Sequence, residues 1–487
     1  MWKYVGAVAG TIWALISLYF VVLFVLRKWH LRKFTGPFAI PFLGNCYTAE
    51  ALSFLRYLAV TRKKFGKIFT IFTFAKAYLV ICDPVVVRRI LSDTGKFRKG
   101  ADYSDIFAIG FGEGLVTSTG EKHKKDRGIF SKYFLKANIS NYATVLNRET
   151  KRIIEQRMDP SMKMETPTLN MEGFFAVLAL RCFTMFCMNF DITEAGVERE
   201  EALCKYTSEG SWAVAYLMQI NIPAWSIFPP VKLIQKYCDE IERTVLPQVD
   251  KRRLAMKNGT LPPELDDCLT AMIRENMAEK DILDHVRTLI GAGHDTTAYF
   301  SSYMSYMLAM HQDVQDKVRK EIFDVVGDAE DVSFEQIGQL KYLQKVMQET
   351  LRMYAVIPIL TRESTEDVTI KEAGVTIPKG ATLMMPLFLM NRDPTLWDKP
   401  AEYNPDRFDE LSSADASFTS AKSGFFPFGY GSRTCIGNTL SVIENSIFMC
   451  QILRKYRFIP KPGYKPNILS GISLTTSNGV HVNLEAL

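Results

Sequence analysis

The ten residues 428–437, FGYGSRTCIG, decide how this 487-residue chain is interpreted. Three glycines surround a single cysteine, Cys435. Glycine adopts backbone conformations that are closed to other residues, and it lets the chain approach a flat partner closely. Arg433 adds a permanent cation that can pair with a carboxylate on that partner. The stretch therefore predicts a loop built against a flat group that carries negative charge.

Cys435 lies just before a predicted helix, because residues 438–453 (NTLSVIENSIFMCQIL) have a helical pattern. The amides and the dipole at a helix N-terminus stabilise a thiolate, and Phe428 could shield the sulfur from water. A thiolate held in this way suits the axial position of haem iron. A lone cysteine would favour a glycine-rich loop with one buried thiol, but the ten-residue pattern favours the ligand.

This stretch resembles the haem loop of the cytochrome P450 family, whose pattern is F-G-x-G-x-R-x-C-x-G. All six fixed positions match: Phe428, Gly429, Gly431, Arg433, Cys435 and Gly437. The resemblance implies a mainly α fold, with a large helical domain and a small β-rich portion. It also implies that haem b (iron protoporphyrin IX) is the cofactor, that Cys435 binds its iron and that the other five residues surround it.

A second motif, AGHDTT at residues 292–297, falls in the middle of a long apolar helix pattern. A carboxylate is costly there unless it has a partner or a task, and a threonine can bond back to the carbonyl four residues earlier. A helix with a polar stripe would explain a lone Asp–Thr pair. The segment also meets the family pattern [AG]-G-x-[DE]-T-[TS], so the resemblance implies that Asp295 and Thr296 relay protons to dioxygen.

A third motif, ETLR, places Glu349 and Arg352 three residues apart and therefore on one helical face. On a surface such a pair contributes only about 0.3 kcal/mol, but apolar neighbours indicate a half-buried helix. In the family the pair binds a later arginine, which the segment NPDRF supplies as Arg407. The resemblance implies a structural ion network of these three residues behind the haem loop.

Two further arginines match positions that bind the haem propionates in the family. Arg362 follows the ETLR helix in PILTR, and Arg127 matches the arginine of a W-x-x-x-R helix. Here that segment reads HKKDR, with His123 at the usual tryptophan position. His123 either donates a hydrogen bond to a propionate or is exposed, and the sequence leaves both open.

The expected substrate pocket is apolar, which implies a hydrophobic substrate; by position it comprises Phe107, Ile109, Phe111, Ala292, Ile357, Ile359, Ile472 and Leu474. The proline-broken loop 220–230 (INIPAWSIFPP) either dips into a bilayer or connects core elements.

The motif GHDTT is similar to that of the fatty-acid ω-hydroxylase branch of the family. Ala292 stands where that branch commonly has a glutamate esterified to haem, so covalent haem is not expected. Sterols, fatty acids and foreign compounds all remain possible substrates.

The first 26 residues predict a membrane anchor. Residues 4–26 carry no charge, and a helix of that length spans about 35 Å, enough to cross a hydrocarbon core. A cleaved signal peptide would have a shorter apolar region followed by small residues, whereas RKWHLRK follows here. The basic residues after the span place the remainder in the cytosol. We expect a single-pass anchor over 1–26, a basic and Pro/Gly-rich linker over 27–45 and the catalytic domain over 46–487, at the endoplasmic reticulum membrane.

The composition fits one large globular domain. Hydrophobic residues make up 47% and charged residues 23% of the chain, which supports a deep core. The net charge of +6 comes without a basic stripe interleaved with aromatic residues, which argues against a nucleic-acid partner. The nine cysteines include no CxxC pair, so a reducing compartment is favoured over a disulfide framework.

Local patterns predict many helices and few strands. The longest helix is expected over about 280–321, with a buried centre. Strands are expected at 67–73, 77–82, 368–370, 375–377 and 479–484.

The resemblance implies a membrane-tethered monooxygenase that inserts one oxygen atom from O2 into a hydrophobic substrate. Electrons from NADPH would arrive through NADPH-cytochrome P450 reductase, with cytochrome b5 as a further partner.

A run of basic residues either forms a solvated face or steers an acidic flavoprotein to the thiolate side; it comprises Lys122, Lys124, Lys125 and Lys132. The alternatives are a haem enzyme that rearranges peroxides without external electrons and a non-catalytic haem sensor.

Overall fold

A computed structural model describes residues 2–47, 53–74, 76–220, 229–409 and 424–487. Its helices are α1 (Trp2–His30), α2 (Phe54–Phe65), α3 (Pro84–Ser92), α4 (Ala108–Phe111), α5 (Gly120–Ser131), α6 (Lys136–Ser140), α7 (Ala143–Ile153), α8 (Asp159–Ser161), α9 (Met171–Met188), α10 (Val197–Ile220), α11 (Pro229–Lys257), α12 (Cys268–Arg274), α13 (Glu279–Met310), α14 (Gln312–Val325), α15 (Phe334–Ile337), α16 (Lys341–Met353), α17 (Leu387–Met390) and α18 (Asn438–Lys455). Its strands are β1 (Ile68–Thr73), β2 (Lys76–Ile81), β3 (Phe97–Arg98), β4 (Thr168–Asn170), β5 (Ile359–Ser364), β6 (Val368–Ile370), β7 (Val375–Ile377), β8 (Thr382–Pro386), β9 (Tyr456–Ile459), β10 (Ile468–Ser470), β11 (Leu474–Thr476) and β12 (His481–Ala486). The predicted mainly α class is confirmed.

The strands form a small β portion beside the helices. The largest sheet has the order β1-β2-β8-β5-β3, in which β2 and β8 are parallel and the other pairs are antiparallel. A second sheet has the order β4-β12-β9, and β6–β7 and β10–β11 are separate two-stranded pairs. The large sheet has its own apolar core, distinct from that of the helices. Strand β5 of this sheet carries Ile359 and Arg362, which both line the cavity described below.

Helix α13 crosses the helical core, and its most extensive packing is against α9. One long helix to residue 321 was predicted, and this is wrong: α13 ends at Met310 and α14 begins at Gln312. His311 leaves the helical conformation at φ −121° and ψ 79°. Glutamine amides bind carbonyls near the break, with Gln312 donating to Ala309 O at 2.7 Å and Gln315 to Leu308 O at 3.1 Å. These bonds replace helical ones, so the helix ends without proline or glycine.

Two described helices are long and apolar enough to cross a membrane, the segment Trp13–His30 of α1 and Met171–Met188, which is α9. Helix α9 is mostly buried inside the domain, whereas the α1 segment is largely exposed. Helix α1 continues to His30, four residues beyond the predicted end of the anchor. Its C-terminal part packs on β1, since the ring centroids of Phe24 and Phe72 are 5.0 Å apart. The predicted loop 220–230 lies largely outside the described residues.

Candidate active site

A large internal cavity of about 410 Å³ lies beside the centre of α13 and brings most of the predicted site residues together. Cys435 is exposed, and the space that it faces is this cavity. Six of the eight predicted pocket residues line it: Phe107, Phe111, Ala292, Ile357, Ile359 and Ile472. Most of the other lining side chains are also apolar, which suits a hydrophobic ligand.

Two predicted pocket residues, Ile109 and Leu474, do not line the cavity. Leu474 is the first residue of β11 and belongs to the helical core, with 5% of its surface exposed. Its neighbour Ser473 lines the cavity in its place. Ile109 packs against the same core from the short helix α4. Both residues therefore pack into the core near the cavity and not into its wall.

The loop before α18 folds back on itself and presents the cysteine. The Cys435 amide donates to Phe428 O at 2.8 Å, which closes the loop. Gly429 and Gly431 have φ values of 75° and 73°, a region that favours glycine. At Gly431 a Cβ atom would also lie 2.5 Å from the carbonyl oxygen of Leu91. The sequence pattern of this loop therefore follows from its backbone conformation and from the close approach of α3.

The surroundings of the Cys435 thiol change its pKa in two opposite directions. The sulfur is open to the cavity, but the protein around the cavity shields it from bulk water, and this desolvation raises its pKa, while the backbone amide of Gly437 and the Arg127 guanidinium lower it. Desolvation prevails, so the helix N-terminus alone does not ionise the sulfur, contrary to the argument from sequence. Metal coordination deprotonates a thiol outright, so this site fits a cysteine that becomes a thiolate on binding iron.

Basic side chains converge at one edge of the cavity, where Lys99, Arg362 and Arg433 line its wall. Arg433 Nη2 donates to Ser118 O at 2.8 Å, but its Nη1 atom is buried without a partner among the described residues. Burial and the neighbouring cations Arg362 and Arg127 lower the pKa of Arg433 to about 10. The same causes lower the pKa of Lys99 well below its usual value. Such crowding of positive charge requires an anion, a role that the two propionates of haem b would fill.

His123 belongs to the same cationic cluster and is buried, with 7% of its surface exposed. The alternative of an exposed histidine is therefore wrong. Burial and the positive charges of Arg433, Lys99 and Arg127 lower its pKa to about 4. The ring is therefore neutral at pH 7 and carries one N–H donor.

The acid–alcohol pair lies on the cavity side of α13. Thr296 Oγ1 donates to Ala292 O at 2.6 Å, the back-bond anticipated from sequence, although the helix continues without interruption. Asp295 is buried and accepts from Ser473 Oγ at 2.8 Å. Burial raises the pKa of Asp295 to about 7. A carboxyl with this pKa can both hold and release a proton near neutral pH.

Asn in place of Asp295 is expected to flatten the pH dependence of stability. The native carboxyl keeps its proton up to about pH 7, whereas an unfolded aspartate loses it near pH 4. Between these values the native state binds more protons, so the free energy of unfolding of the wild type falls as pH rises. Thermal unfolding midpoints of Asp295→Asn and wild type across this window measure the difference. If the unfolding midpoints of the two proteins change with pH in parallel, the raised pKa of Asp295 is contradicted.

Glu349, Arg352 and Arg407 form a bonded cluster. Glu349 and Arg352 are joined by two hydrogen bonds of 2.7 and 2.8 Å, and both side chains are completely buried. Arg407 Nε donates to Glu349 Oε1 at 3.1 Å. Arg352 also donates to the carbonyls of Asn391 and Pro400. The cluster therefore ties α16 to the segment that precedes the haem loop.

Sequence reasoning missed a lysine and a glutamate at the cavity wall, Lys99 and Glu444. Lys99 follows a two-residue strand in the run RKG, which resembles an exposed turn, so the sequence carries no signal for its place at the cavity. Glu444 accepts from Thr297 Oγ1 at 3.2 Å, and burial raises its pKa to about 8. Its position in an apolar helical run was a usable signal, by the reasoning that was applied to Asp295.

Comparison with known proteins agrees with this geometry. The family model for Cytochrome P450 matches residues 35–482. The chain is 25% identical to Cytochrome P450 4d2 of Drosophila melanogaster, over 92% of this chain and 93% of that protein. It is 26% identical to Cytochrome P450 734A1 of Arabidopsis thaliana, over 88% and 82%. It is 23% identical to Cytochrome P450 3A9 of Rattus norvegicus, over 87% and 85%.

The family match covers the loop that presents Cys435, the cationic edge of the cavity and the polar pair on α13. From these observations the chain belongs to the cytochrome P450 family and is a haem-thiolate monooxygenase that binds haem b.

Proposed function

We propose that this monooxygenase hydroxylates a hydrophobic small molecule, a sterol, a fatty acid or a foreign compound, with electrons from NADPH-cytochrome P450 reductase. The observation that carries the proposal is the wall of the cavity next to Cys435. Aromatic side chains from three parts of the chain line it, among them Phe107, Phe183 and Phe300. A wall of this kind binds and orients apolar molecules and excludes water.

The residues divide the work between holding the cofactor and delivering protons. Haem b, when bound, supplies the redox chemistry that splits O2 and transfers one oxygen atom to a C–H bond. Cys435 would hold its iron, and Arg127, Arg362, Arg433 and His123 would hold its propionates. Asp295 and Thr296 would provide protons at the centre of α13, on the cavity side.

The direct test combines the full chain in lipid nanodiscs with the reductase and a panel of sterols, fatty acids and xenobiotics. Ligands that displace water are expected to shift the haem absorption spectrum. At least one of them should increase NADPH and O2 consumption and yield a hydroxylated product. Rearrangement of a lipid peroxide without NADPH would instead support the isomerase alternative. Absence of both reactions across the panel, with haem bound, would support a non-catalytic sensor.

We place the enzyme at the endoplasmic reticulum membrane, anchored once by α1, with a linker over 27–45 and the catalytic domain over 46–487 in the cytosol. Exposed apolar side chains along α1 support this, for example Trp13 and Leu18. The last turn of the helix carries Arg27, Lys28 and His30, and basic residues favour the cytosolic side. Cytochrome b5 would be a second electron donor there.

Charge reversal of Lys124 and Lys125 is expected to weaken reductase-dependent turnover. Both residues are exposed on α5, and Lys124 has only a distant contact of 4.0 Å with Glu121. If this face steers an acidic flavoprotein, the variant Lys124→Glu/Lys125→Glu should turn over several-fold more slowly at low salt and lose most of its salt dependence. Lys63→Glu/Lys64→Glu, on the exposed end of α2, is the matched control. Wild-type kinetics in the α5 variant would dismiss the docking surface.

A further inference from the structure

The β1–β2 hairpin contributes two hydroxyl-bearing side chains to the cavity wall. Thr73 at the end of β1 and Tyr78 in β2 both line the cavity. Thr73 pairs with Lys76 in the antiparallel register, and Tyr78 lies two positions beyond Lys76, so the three side chains share one face of the hairpin. This face places two hydroxyl groups beside a cavity whose lining is mostly apolar.

The Thr73 hydroxyl lacks a hydrogen-bond partner. The residue is 7% exposed, and its Oγ1 atom is buried without a partner among the described residues. A buried hydroxyl in this state is costly unless a ligand or water supplies the missing bond. Thr70, on the opposite face of β1, does not line the cavity and donates to Thr35 O at 3.5 Å. The missing bond is therefore a property of the threonine at the cavity.

The Tyr78 hydroxyl can accept a further hydrogen bond but has already used its proton. It donates to Asp102 Oδ1 at 3.3 Å, and Lys76 forms an ion pair with the same oxygen. An ionised carboxylate only accepts, so Tyr78 must be the donor of this bond. Burial and the neighbouring Asp102 raise the pKa of Tyr78 well above its usual value, so the phenol keeps its proton. The lone pairs of its oxygen are left for a ligand that donates.

A row of aromatic rings connects this polar corner with α13. Tyr103 directly follows Asp102, and its ring stacks on Phe107 with centroids 4.9 Å apart. Phe107 and Phe111 are 5.9 Å apart, and all three rings line the cavity. Phe111 reaches α13, where a Cβ atom on Gly291 would lie 2.8 Å from its Cε1 atom. A large apolar body can therefore pack along these rings.

We propose that Thr73 and Tyr78 bind the hydroxyl group of a substrate that is a neutral alcohol with a large apolar body, either a sterol or a long-chain alcohol. The substrate hydroxyl donates to the Tyr78 oxygen and accepts from Thr73 Oγ1, so each polar group gains a partner.

Other polar groups fit this corner less well. A carboxylate has no proton to donate to Tyr78, and the charge of Asp102 behind that ring repels it. The Oδ2 atom of Asp102 has no partner among the described residues, so this negative charge is not fully paired. An ammonium group would meet Lys76 on the same face of the hairpin. A neutral hydroxyl is therefore favoured over a free fatty acid or an amine.

This assignment rests on the proposed function, because it selects one substrate class from those named there. The test measures binding through the shift of the haem absorption spectrum, with the full haem-loaded chain in lipid nanodiscs. The probes are cholesterol and its methyl ether, hexadecanol and its methyl ether, and hexadecanoic acid. The two alcohols distinguish a sterol from a long chain as the carrier of the hydroxyl group.

At least one alcohol is expected to bind about five-fold more tightly than its ether, which cannot donate, and hexadecanoic acid should bind more weakly than hexadecanol. Thr73→Val and Tyr78→Phe should each weaken binding of that alcohol about five-fold. Tyr78→Phe should also bind alcohol and ether equally. Thr70→Val, the same substitution on the opposite face of β1, should match the wild type.

Failure of both alcohols to bind, or equal binding of each alcohol and its ether, would overturn the subsite. Wild-type affinity in Thr73→Val would do the same, and this variant breaks no hydrogen bond of the described residues, so it should fold even if Tyr78→Phe does not. Loss of haem from Thr73→Val at an unchanged thermal midpoint would assign the residue to the cofactor instead. Hydroxylation of an acid or foreign compound without alcohol binding would refute the subsite alone. Selective alcohol binding without hydroxylation of any probe would refute the proposed function alone.

Discussion

Alanine in place of Cys435 is expected to give a folded protein that has lost both the thiolate-type spectrum with carbon monoxide and O2-dependent hydroxylation. No other thiol can replace it, because Cys435 is the only cysteine among the described residues that lines the cavity. Loss of an outer-shell partner alone lowers metal affinity 10- to 100-fold. Loss of the ligand itself should therefore lower haem retention by more than about 100-fold.

The fold should survive this substitution. The Cys435 sulfur faces the cavity, so its removal opens little additional space in the packed core. Helix α18 begins after the loop and has its own buried face. Far-ultraviolet circular dichroism of Cys435→Ala should match that of the wild type, while haem content, measured after purification, should fall to near zero.

Cys46→Ala is the matched control, because Cys46 is also exposed but lies in the segment before α2, away from the cavity. It should retain haem, spectrum and activity. A thiolate-type spectrum in Cys435→Ala would contradict the assignment of the ligand. A wild-type protein without haem would contradict the assignment of the cofactor.

The loop that presents Cys435 could be predicted because its residues are close together in sequence. The loop before α18 has two residues with positive φ, Gly429 and Gly431, and both are fixed glycines of the motif at residues 428–437. Helix α18 begins at Asn438, as its pattern indicated, and β6 and β7 occupy the predicted residues. Local conformation is encoded locally, so pattern and turn chemistry are sufficient there.

The remainder depends on contacts between distant segments. The break at His311 rests on glutamine side chains that reach back to carbonyls of α13 and across to β9. Lys99 lies at the cavity edge beside Arg362 and the haem-loop arginine, which come from distant parts of the chain. Ser473 meets Asp295 across more than a hundred residues. Neither the hydrophobic periodicity nor the spacing of motifs encodes contacts between distant residues, so these contacts are seen only in the folded structure.

Alanine in place of Arg352 is expected to destabilise the protein by about 3–5 kcal/mol, the usual cost of breaking a buried ion pair by removing one partner. Glu349 would keep Arg407 and the amide of Asn404 as partners, but it would lose two charge-assisted hydrogen bonds in a completely buried position. The carbonyl oxygens of Asn391 and Pro400 lose their donor as well, and that of Glu402 keeps only Arg407 Nη2.

The effect should extend to the haem loop through aromatic packing. The Arg352 guanidinium lies 5.4 Å from the ring centroid of Trp397, and that ring contacts Phe425 edge to face at 5.8 Å. Phe425 lies three residues before Phe428, where the loop begins. Haem retention should therefore fall together with stability, although Arg352 does not line the cavity.

Two comparisons separate this network from an ordinary ion pair. Lys320 and Asp324 form an exposed pair on α14, with side chains 76% and 60% exposed, and Lys320→Ala should cost less than about 0.5 kcal/mol. Arg352→Lys keeps the charge but cannot reproduce the planar fork, so its thermal midpoint should fall between those of the wild type and Arg352→Ala. If Arg352→Ala unfolds at the wild-type temperature, the buried network does not hold the segment before the haem loop. If Arg352→Lys behaves as wild type, charge alone is sufficient and the fork geometry is not required.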